Sequence, residues 1–238
     1  MDTYGRNDTI IGREGLVRSF FSGTGKSYDR VVRMFTLGLD DRWKDEIVRL
    51  VPDSRRILDL GCGTGILTER LAMTHPRAEI VGVDITPDYL AEYEERLRRK
   101  PWIHARPMLG NAETVSLEGE FDAVVSSYLI KYVDADLLLN NTTPHLRRGG
   151  AFIAHDFTLP TDPIYLNSWR AYTWAINRIG PMLFPEFRTV FDDGLTGLLR
   201  RTRWPDDVMR ALRDHGYEEV RYRRLSFQTA GLVSAVRA

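Results

Sequence analysis

A short apolar run, Ile57-Leu58-Asp59-Leu60, breaks into alternating glycines at Gly61-Cys62-Gly63-Thr64-Gly65 and then continues as Ile66-Leu67-Thr68-Glu69-Arg70-Leu71-Ala72. Few backbones accommodate that order. It reads as a buried strand, a tight turn, and a helix whose N-terminus faces a ligand. Glycine suits such a turn because it tolerates positive φ and lets the backbone approach a bound molecule closely. A dinucleotide loop requires G-x-G-x-x-G, but the sixth position counted from Gly61 is Ile66 and from Gly63 is Thr68. The spacing present is D-x-G-x-G-x-G.

Further strands follow at intervals. Ile80-Val81-Gly82-Val83-Asp84 is an apolar run ending in a carboxylate, and Thr86-Pro87-Asp88 opens a helix with Pro87 at its first position. Phe121-Asp122-Ala123-Val124-Val125-Ser126 and Gly149-Gly150-Ala151-Phe152-Ile153-Ala154 complete the pattern. Strands alternating with helical stretches build βαβ units, and so a parallel sheet covered on both faces. Val31, Val32, Phe35, Leu39, Ile47, Val48 and Leu50 suit amphipathic helices from about Ser27 to Val51, stopped by Pro52-Asp53-Ser54. A last helix around Val208–Leu212 ends at His215-Gly216, and two runs, Glu219–Leu225 and Thr229–Val236, close the chain.

The glycine loop resembles motif I of the class I S-adenosylmethionine (SAM) methyltransferases. The resemblance implies an α/β, Rossmann-like class I methyltransferase fold: a seven-stranded, mostly parallel sheet with helices on both faces and a terminal antiparallel hairpin. It implies SAM as cofactor and S-adenosylhomocysteine as product. Asp59, Gly61, Gly63 and Gly65 then form the cofactor loop. Asp84, at a strand end, accepts hydrogen bonds from both ribose hydroxyls, the role of an acidic residue in nucleotide-binding α/β folds, with Ile85 beside it. Asn111 and Ala112 hold the adenine amino group. Thr64 and Ser127 reach the methionine end.

More of the chain is similar to one family, the ubiquinone/menaquinone biosynthesis C-methyltransferases, which act on a prenylated benzoquinol or naphthoquinol. The segment Tyr28–Lys44 matches its N-terminal signature at Tyr28, Asp29, Gly38, Trp43 and Lys44, so Tyr28 joins the cofactor set. Val32 and Asp40 depart from it, the family having Asn and His there. Tyr128-Leu129-Ile130-Lys131-Tyr132-Val133 stands where the family has Phe-Gly-Leu-Arg-Asn-Val, and Arg203-Trp204-Pro205-Asp206 and Gly216-Tyr217-Glu218-Glu219-Val220 fit its tail. Carbon methylation next to a phenolic hydroxyl needs a base, or a cation that stabilises the phenolate. Lys131 is the candidate cation, at the family's Arg position. His155 is the candidate base, with Asp156 orienting it or acting through water. Tyr128 and Tyr132 are candidate walls of the acceptor pocket.

Residues 161–204 form an aromatic-rich stretch that follows the strand ending at Asp156. Ligands of open α/β sheets bind beyond the carboxyl ends of the strands, so the stretch is read as a helical lid contributing Trp169 and Tyr172 to the acceptor site. The chain is thereby one domain, 1–238. It comprises N-terminal helices (1–52), a SAM-binding core (53–160), the lid insertion (161–204), and a C-terminal helix and hairpin (205–238). A length of 238 residues suits one such core.

Lys+Arg 33 against Asp+Glu 33 gives no net charge and no basic stripe, which excludes nucleic acid as the expected partner. Gly23-Thr24-Gly25-Lys26-Ser27 is not a phosphate loop, because the glycine required five positions earlier is Phe20. The single cysteine, Cys62, makes no internal disulfide and is read as a small residue in a tight turn. Asn140-Asn141 and Asp156 do not form a metal set, so no metal is expected. Met1–Arg6 has neither the basic start nor the apolar segment of a secretory signal, and a cytoplasmic location is expected. A lipid acceptor would add peripheral membrane contact through Trp169, Trp174, Arg200, Arg201 and Arg203; a homodimer is left open. The alternatives are O- or N-methylation of a soluble metabolite, and a non-catalytic SAM-binding subunit.

Overall fold

A computed structural model describes residues 10–238, the side chains of Ile10, Ile11 and Asp193 excepted; the Met1–Arg6 start lies outside the described residues. The sheet has seven strands: β1 (Arg56–Leu60), β2 (Glu79–Asp84), β3 (Ala105–Leu109), β4 (Phe121–Ser127), β5 (Leu146–Phe157), β6 (Tyr217–Leu225) and β7 (Ala230–Arg237), in the order β3-β2-β1-β4-β5-β7-β6. The first five pair in parallel, while β7 runs antiparallel to both β5 and β6. β1 and β4 are almost wholly buried along their length. That is why they read as continuous apolar runs rather than alternating ones.

The helices are α1 (Ile10–Phe21), α2 (Gly25–Phe35), α3 (Leu39–Leu50), α4 (Ile66–Thr74), α5 (Pro87–Arg99), α6 (Ala135–Thr142), α7 (Pro163–Leu183), α8 (Leu195–Arg201) and α9 (Trp204–Asp214). The helices expected over 27–51 are α2 and α3, parted at Thr36–Gly38, where Leu37 and Gly38 take φ of 53° and 75°. One face of the sheet packs Leu58, Leu60, Val81, Val124 and Phe152 on α6 and α9. The other packs Ile57, Ile80, Val125 and Ile153 on α3 and α4. A separate aromatic cluster, with Phe20, Val31, Tyr132, Phe184, Phe187 and Phe191 at its centre, joins α1 and α2 to the segment 161–204. Phe184, Phe187 and Phe191 of that segment therefore pack on the N-terminal helices, whereas Trp204 belongs to the core under α9.

Candidate functional site

One cavity of about 660 Å³ lies over the carboxyl ends of β1, β2 and β4, enclosed by α1, α2 and α7. At one end is the glycine turn. Gly61, Gly63 and Gly65 have φ of 67°, 56° and 84°, and the Gly61 and Cys62 amides donate to the Val83 carbonyl at 2.8 and 3.1 Å. A Cβ on Gly65 would sit 2.5 Å from the Tyr93 ring. The turn is thus glycine both for its conformation and for its contact.

Asp84 ends β2 and lines the cavity with Gly61, Gly63 and Ile85. Its Oδ2 accepts the Gly63 amide at 2.9 Å and its Oδ1 the Thr86 amide at 2.8 Å. Each oxygen keeps a lone pair, so both ribose hydroxyls can be accepted. Burial raises the Asp84 carboxyl pKa, and the Thr86 and Gly63 amides oppose that rise. Asp59 lies beneath the turn and does not line the cavity. Its Oδ2 accepts Thr68 Oγ1 at 2.7 Å, while its Oδ1 is buried with no partner. Desolvation raises its pKa to about 7. An orphaned acidic oxygen under a glycine turn, together with the free lone pairs of Asp84, suits a cationic nucleoside such as SAM.

Asn111 and Ala112 line the cavity as expected. The Asn111 amide, however, donates to Glu14 Oε1 at 2.7 Å, and its carbonyl accepts the Glu113 amide at 2.8 Å. Arg13 reaches Glu113 at 2.7 Å. Helix α1 is thereby tied to the turn after β3, a connection the sequence did not signal. Thr64 points away: its hydroxyl donates to Asp29 at 2.5 Å, outside the cavity. Tyr28 and Ser127 do line the cavity, Tyr28 with its ring 4.8 Å from that of Tyr89.

The opposite end is apolar, with Phe35, Leu37, Trp169, Tyr172, Ile176 and Phe191 among its walls. Tyr128 leaves β4 with φ of 70°. It stacks on Phe157 at 4.6 Å and donates its hydroxyl to Asp40 at 2.8 Å. Asp40 is itself buried in an ion pair with Lys44, one turn further along α3. Asp40, Trp43, Lys44 and Ile47 occupy one buried stripe of that helix. Two charges at the apolar positions of an amphipathic pattern were the available signal for this network.

Lys131, in the short turn Ile130–Tyr132 after β4, is buried and lines the cavity. Its Nζ donates to Asp156 Oδ1 at 2.6 Å and to the Tyr128 carbonyl at 2.8 Å, and lies 4.3 Å from the Tyr132 ring centroid. Desolvation lowers the Lys131 pKa and raises that of Asp156, while their mutual attraction opposes both shifts. Asp156 also accepts the Lys131 and Phe157 amides. It therefore positions the lysine and does not orient His155.

His155 differs most from expectation. It is fully buried and does not line the cavity, lying behind Tyr128 with its ring 5.1 Å away and against Trp43 at 5.4 Å. Its Nδ1 meets Ser127 Oγ at 3.2 Å and its Nε2 has no partner. Burial, then Lys44 and Lys131, push its pKa well down. Sealed behind the wall, the imidazole has no face on the cavity from which to act as the direct base expected from its place at a strand end. Trp169, expected on a membrane-facing surface, is likewise a buried wall residue, whereas Trp174 is exposed with the Arg178 guanidinium 5.7 Å from its ring. Among the described residues no group of three or more His, Cys, Asp or Glu is placed to hold a metal ion.

The model of the ubiE/COQ5 methyltransferase family matches residues 9–237. A ubiquinone/menaquinone biosynthesis C-methyltransferase of Syntrophotalea carbinolica is 29% identical over 171 residues, which cover 70% of this chain and 72% of that protein. A demethylmenaquinone methyltransferase of Thermotoga maritima is 25% identical over 221 residues, covering 89% of this chain and 92% of the relative. Among solved structures, magnesium protoporphyrin IX methyltransferase from Synechocystis PCC 6803 with bound S-adenosylhomocysteine superposes with a TM-score of 0.64 at 20% identity, covering 94% of this chain and 100% of that one. That last likeness concerns the fold alone.

Proposed function

Since this chain belongs to the ubiE/COQ5 methyltransferase family and is a SAM-dependent methyltransferase, we propose that it methylates a ring carbon of a quinol, demethylmenaquinol or a ubiquinone precursor being the nearest class. The carrying observation is the continuity of one cavity from Asp84 and the glycine turn to an apolar, tyrosine-lined end at Lys131. The relatives named for demethylmenaquinone and for ubiquinone/menaquinone biosynthesis point to the same acceptor.

Asp84, Ile85, Gly61, Gly63 and Ala112 would hold the cofactor, with Asp59 beneath them. When bound, SAM supplies an electrophilic methyl group. The chain's own residues prepare the acceptor. Lys131, fixed by Asp156 and the Tyr128 carbonyl, places a buried positive charge at the cavity wall. That charge favours ionisation of a nearby phenolic hydroxyl, its proton passing to bulk solvent, and phenolate charge spreads to the ortho carbon, which loses its own ring proton to solvent as it takes the methyl. Trp169, Tyr172, Phe35 and Phe191 exclude water from that end.

The expected outcome with methyl-labelled SAM and a reduced short-chain demethylmenaquinol is a new methyl on the ring carbon, located by mass spectrometry and NMR. No transfer while SAM still binds would move the acceptor to another phenolic class. One observation favours a second reading, O- or N-methylation of a soluble metabolite: polar side chains, Ser168, Thr173, Asn177 and Thr196, stand among the apolar ones lining that end of the cavity. A methyl on oxygen or nitrogen in the same NMR experiment would select it.

A lipid acceptor also implies that a cytoplasmic enzyme meets a bilayer. No helix among the described residues is long and apolar enough to cross a membrane, so contact would be peripheral. Exposed Trp174, Ile179, Met182 and Leu183 along α7 support it, with Arg200, Arg201 and Arg203 nearby in the chain. Flotation with anionic liposomes should carry the protein upward; protein left at the bottom of the gradient excludes membrane contact.

A further inference from the structure

Three consecutive non-glycine residues, Ser226, Phe227 and Gln228, hold left-handed backbone conformations, with φ of 40°, 56° and 63°. They form the connection between β6 and β7. Such conformations are costly for residues with a Cβ and persist only where surrounding structure enforces them. The enforcement is visible. Trp43 Nε1 donates to Ser226 Oγ at 2.8 Å. Gln228 Oε1 accepts the Thr161 amide at 3.0 Å, the Thr161 hydroxyl at 3.1 Å and the Asp162 amide at 3.2 Å, so the loop is tied to the start of α7. Thr158 Oγ1 donates to the Gln228 carbonyl at 2.8 Å.

The result of this strain is the display of one ring. Phe227 is 68% exposed, yet it lines the cavity. Its only ring partner among the described residues is Tyr165, edge-on at 5.5 Å. Leu37 and Ile164, each 74% exposed, share that double character, and Leu37 too has a left-handed backbone, with φ of 53°. Side chains that face both solvent and cavity mark its mouth. An apolar ring held in water by strained backbone lowers stability twice over, and that combination has its use when a ligand covers the ring.

We propose that Phe227 is the specificity-determining residue of this mouth, covering an apolar substituent of the acceptor as it leaves the cavity, so that substituted aromatic acceptors are preferred to bare ones. The inference rests on the cavity holding an aromatic methyl acceptor, as set out above. Covering an alkyl substituent with one aromatic face corresponds to roughly a tenfold preference.

The test uses two fluorescent ligands, 1-naphthol and 2-octyl-1-naphthol, titrated into protein saturated with S-adenosylhomocysteine. A parallel assay measures methyl transfer to 1,4-naphthalenediol and to its short-prenyl derivative. Wild type should favour the substituted member of each pair by about tenfold or more. Phe227→Ala and Phe227→Gly should both reduce that preference towards unity while leaving the bare ring unaffected. The glycine variant should melt above the alanine variant, because glycine relieves the left-handed backbone. Loss of selectivity in the more stable variant separates recognition from support of the fold. An unchanged preference in both variants, or equal weakening of both ligands, overturns the proposal alone. Naphthols bound with Phe227-dependent preference, with neither naphthalenediol ever methylated, would uphold it and overturn the quinol reading. If wild type binds neither naphthol, both fall.

Discussion

The Tyr128 hydroxyl donates to the buried Asp40 carboxylate at 2.8 Å, across 88 residues of chain. Asp40 also pairs with Lys44, while Lys131 bonds the Tyr128 carbonyl on its way to Asp156. Two buried ion pairs therefore flank one aromatic residue of the acceptor wall. Tyr128→Phe should remove the hydrogen bond to a charged acceptor at a cost of about 1.5–3 kcal/mol. Its signature is a raised KM for the acceptor with SAM affinity unchanged, read by steady-state kinetics and calorimetry. Unchanged acceptor KM would leave the contact purely structural.

The Lys131–Asp156 pair makes a second prediction. Replacing one partner strands a buried charge, so Lys131→Met and Asp156→Leu should each lose about 3–5 kcal/mol. The double variant should recover most of that stability, because two apolar side chains leave nothing unpaired. Its methyl transfer should stay low, because the cation is gone. Denaturant melts together with turnover of the same three proteins check this; a double variant with wild-type turnover would remove Lys131 from the chemistry.

Asp84→Ala deletes the two oxygens proposed to accept the ribose hydroxyls. At about 1.4 kcal/mol per tenfold, loss of two hydrogen bonds to a charged group, about 1.5–3 kcal/mol each, weakens SAM by roughly 100-fold or more. The Gly63 and Thr86 amides also lose their acceptor, yet the sheet register does not depend on them. Calorimetry with SAM should report the loss while circular dichroism stays native; wild-type affinity would refute the ribose assignment.

Asp59 predicts a pH dependence. Its pKa rises from 3.8 to about 7 on burial, so the folded protein binds a proton more tightly than the unfolded chain. The stabilisation is complete below about pH 4 and is lost as pH rises through about 7, by about 4 kcal/mol at 1.36 kcal/mol per unit. Chemical denaturation of the ligand-free protein should show this component falling across that window, and Asp59→Asn should flatten it. Equal slopes in both proteins would show that Asp59 titrates normally.

Much of the cofactor end was legible before any coordinates. Strand β1, the glycine turn, α4, Asp84 and Pro87 are contiguous patterns whose physics is local: apolar runs, positive φ, and a carboxylate at a strand end. The two closing strands were legible as runs of residues, while their antiparallel pairing was what the resemblance implied. The acceptor end was not. Lys131 and His155 stand at equally suggestive strand ends, but only the lysine reaches the cavity, because Tyr128 and Trp43 cover the histidine. Thr64 sits within the signature loop and still turns outward to Asp29. Asn111 stands where the adenine contact was expected, yet its side chain is taken by Glu14 and Glu113.

The sequence by itself determined the parallel sheet and the position of the glycine turn, since periodicity and glycine spacing act within a few residues of one another; the family came from the resemblance of motifs spread along the chain. Only the tertiary structure decided which side chains enclose the acceptor. Asp40 with Tyr128, Trp43 with Ser226, and Gln228 with Thr161 are pairings made by packing α3, β4, α7 and the terminal hairpin together. Burial and hydrogen-bond satisfaction select such contacts after the chain has folded, and no local pattern encodes them.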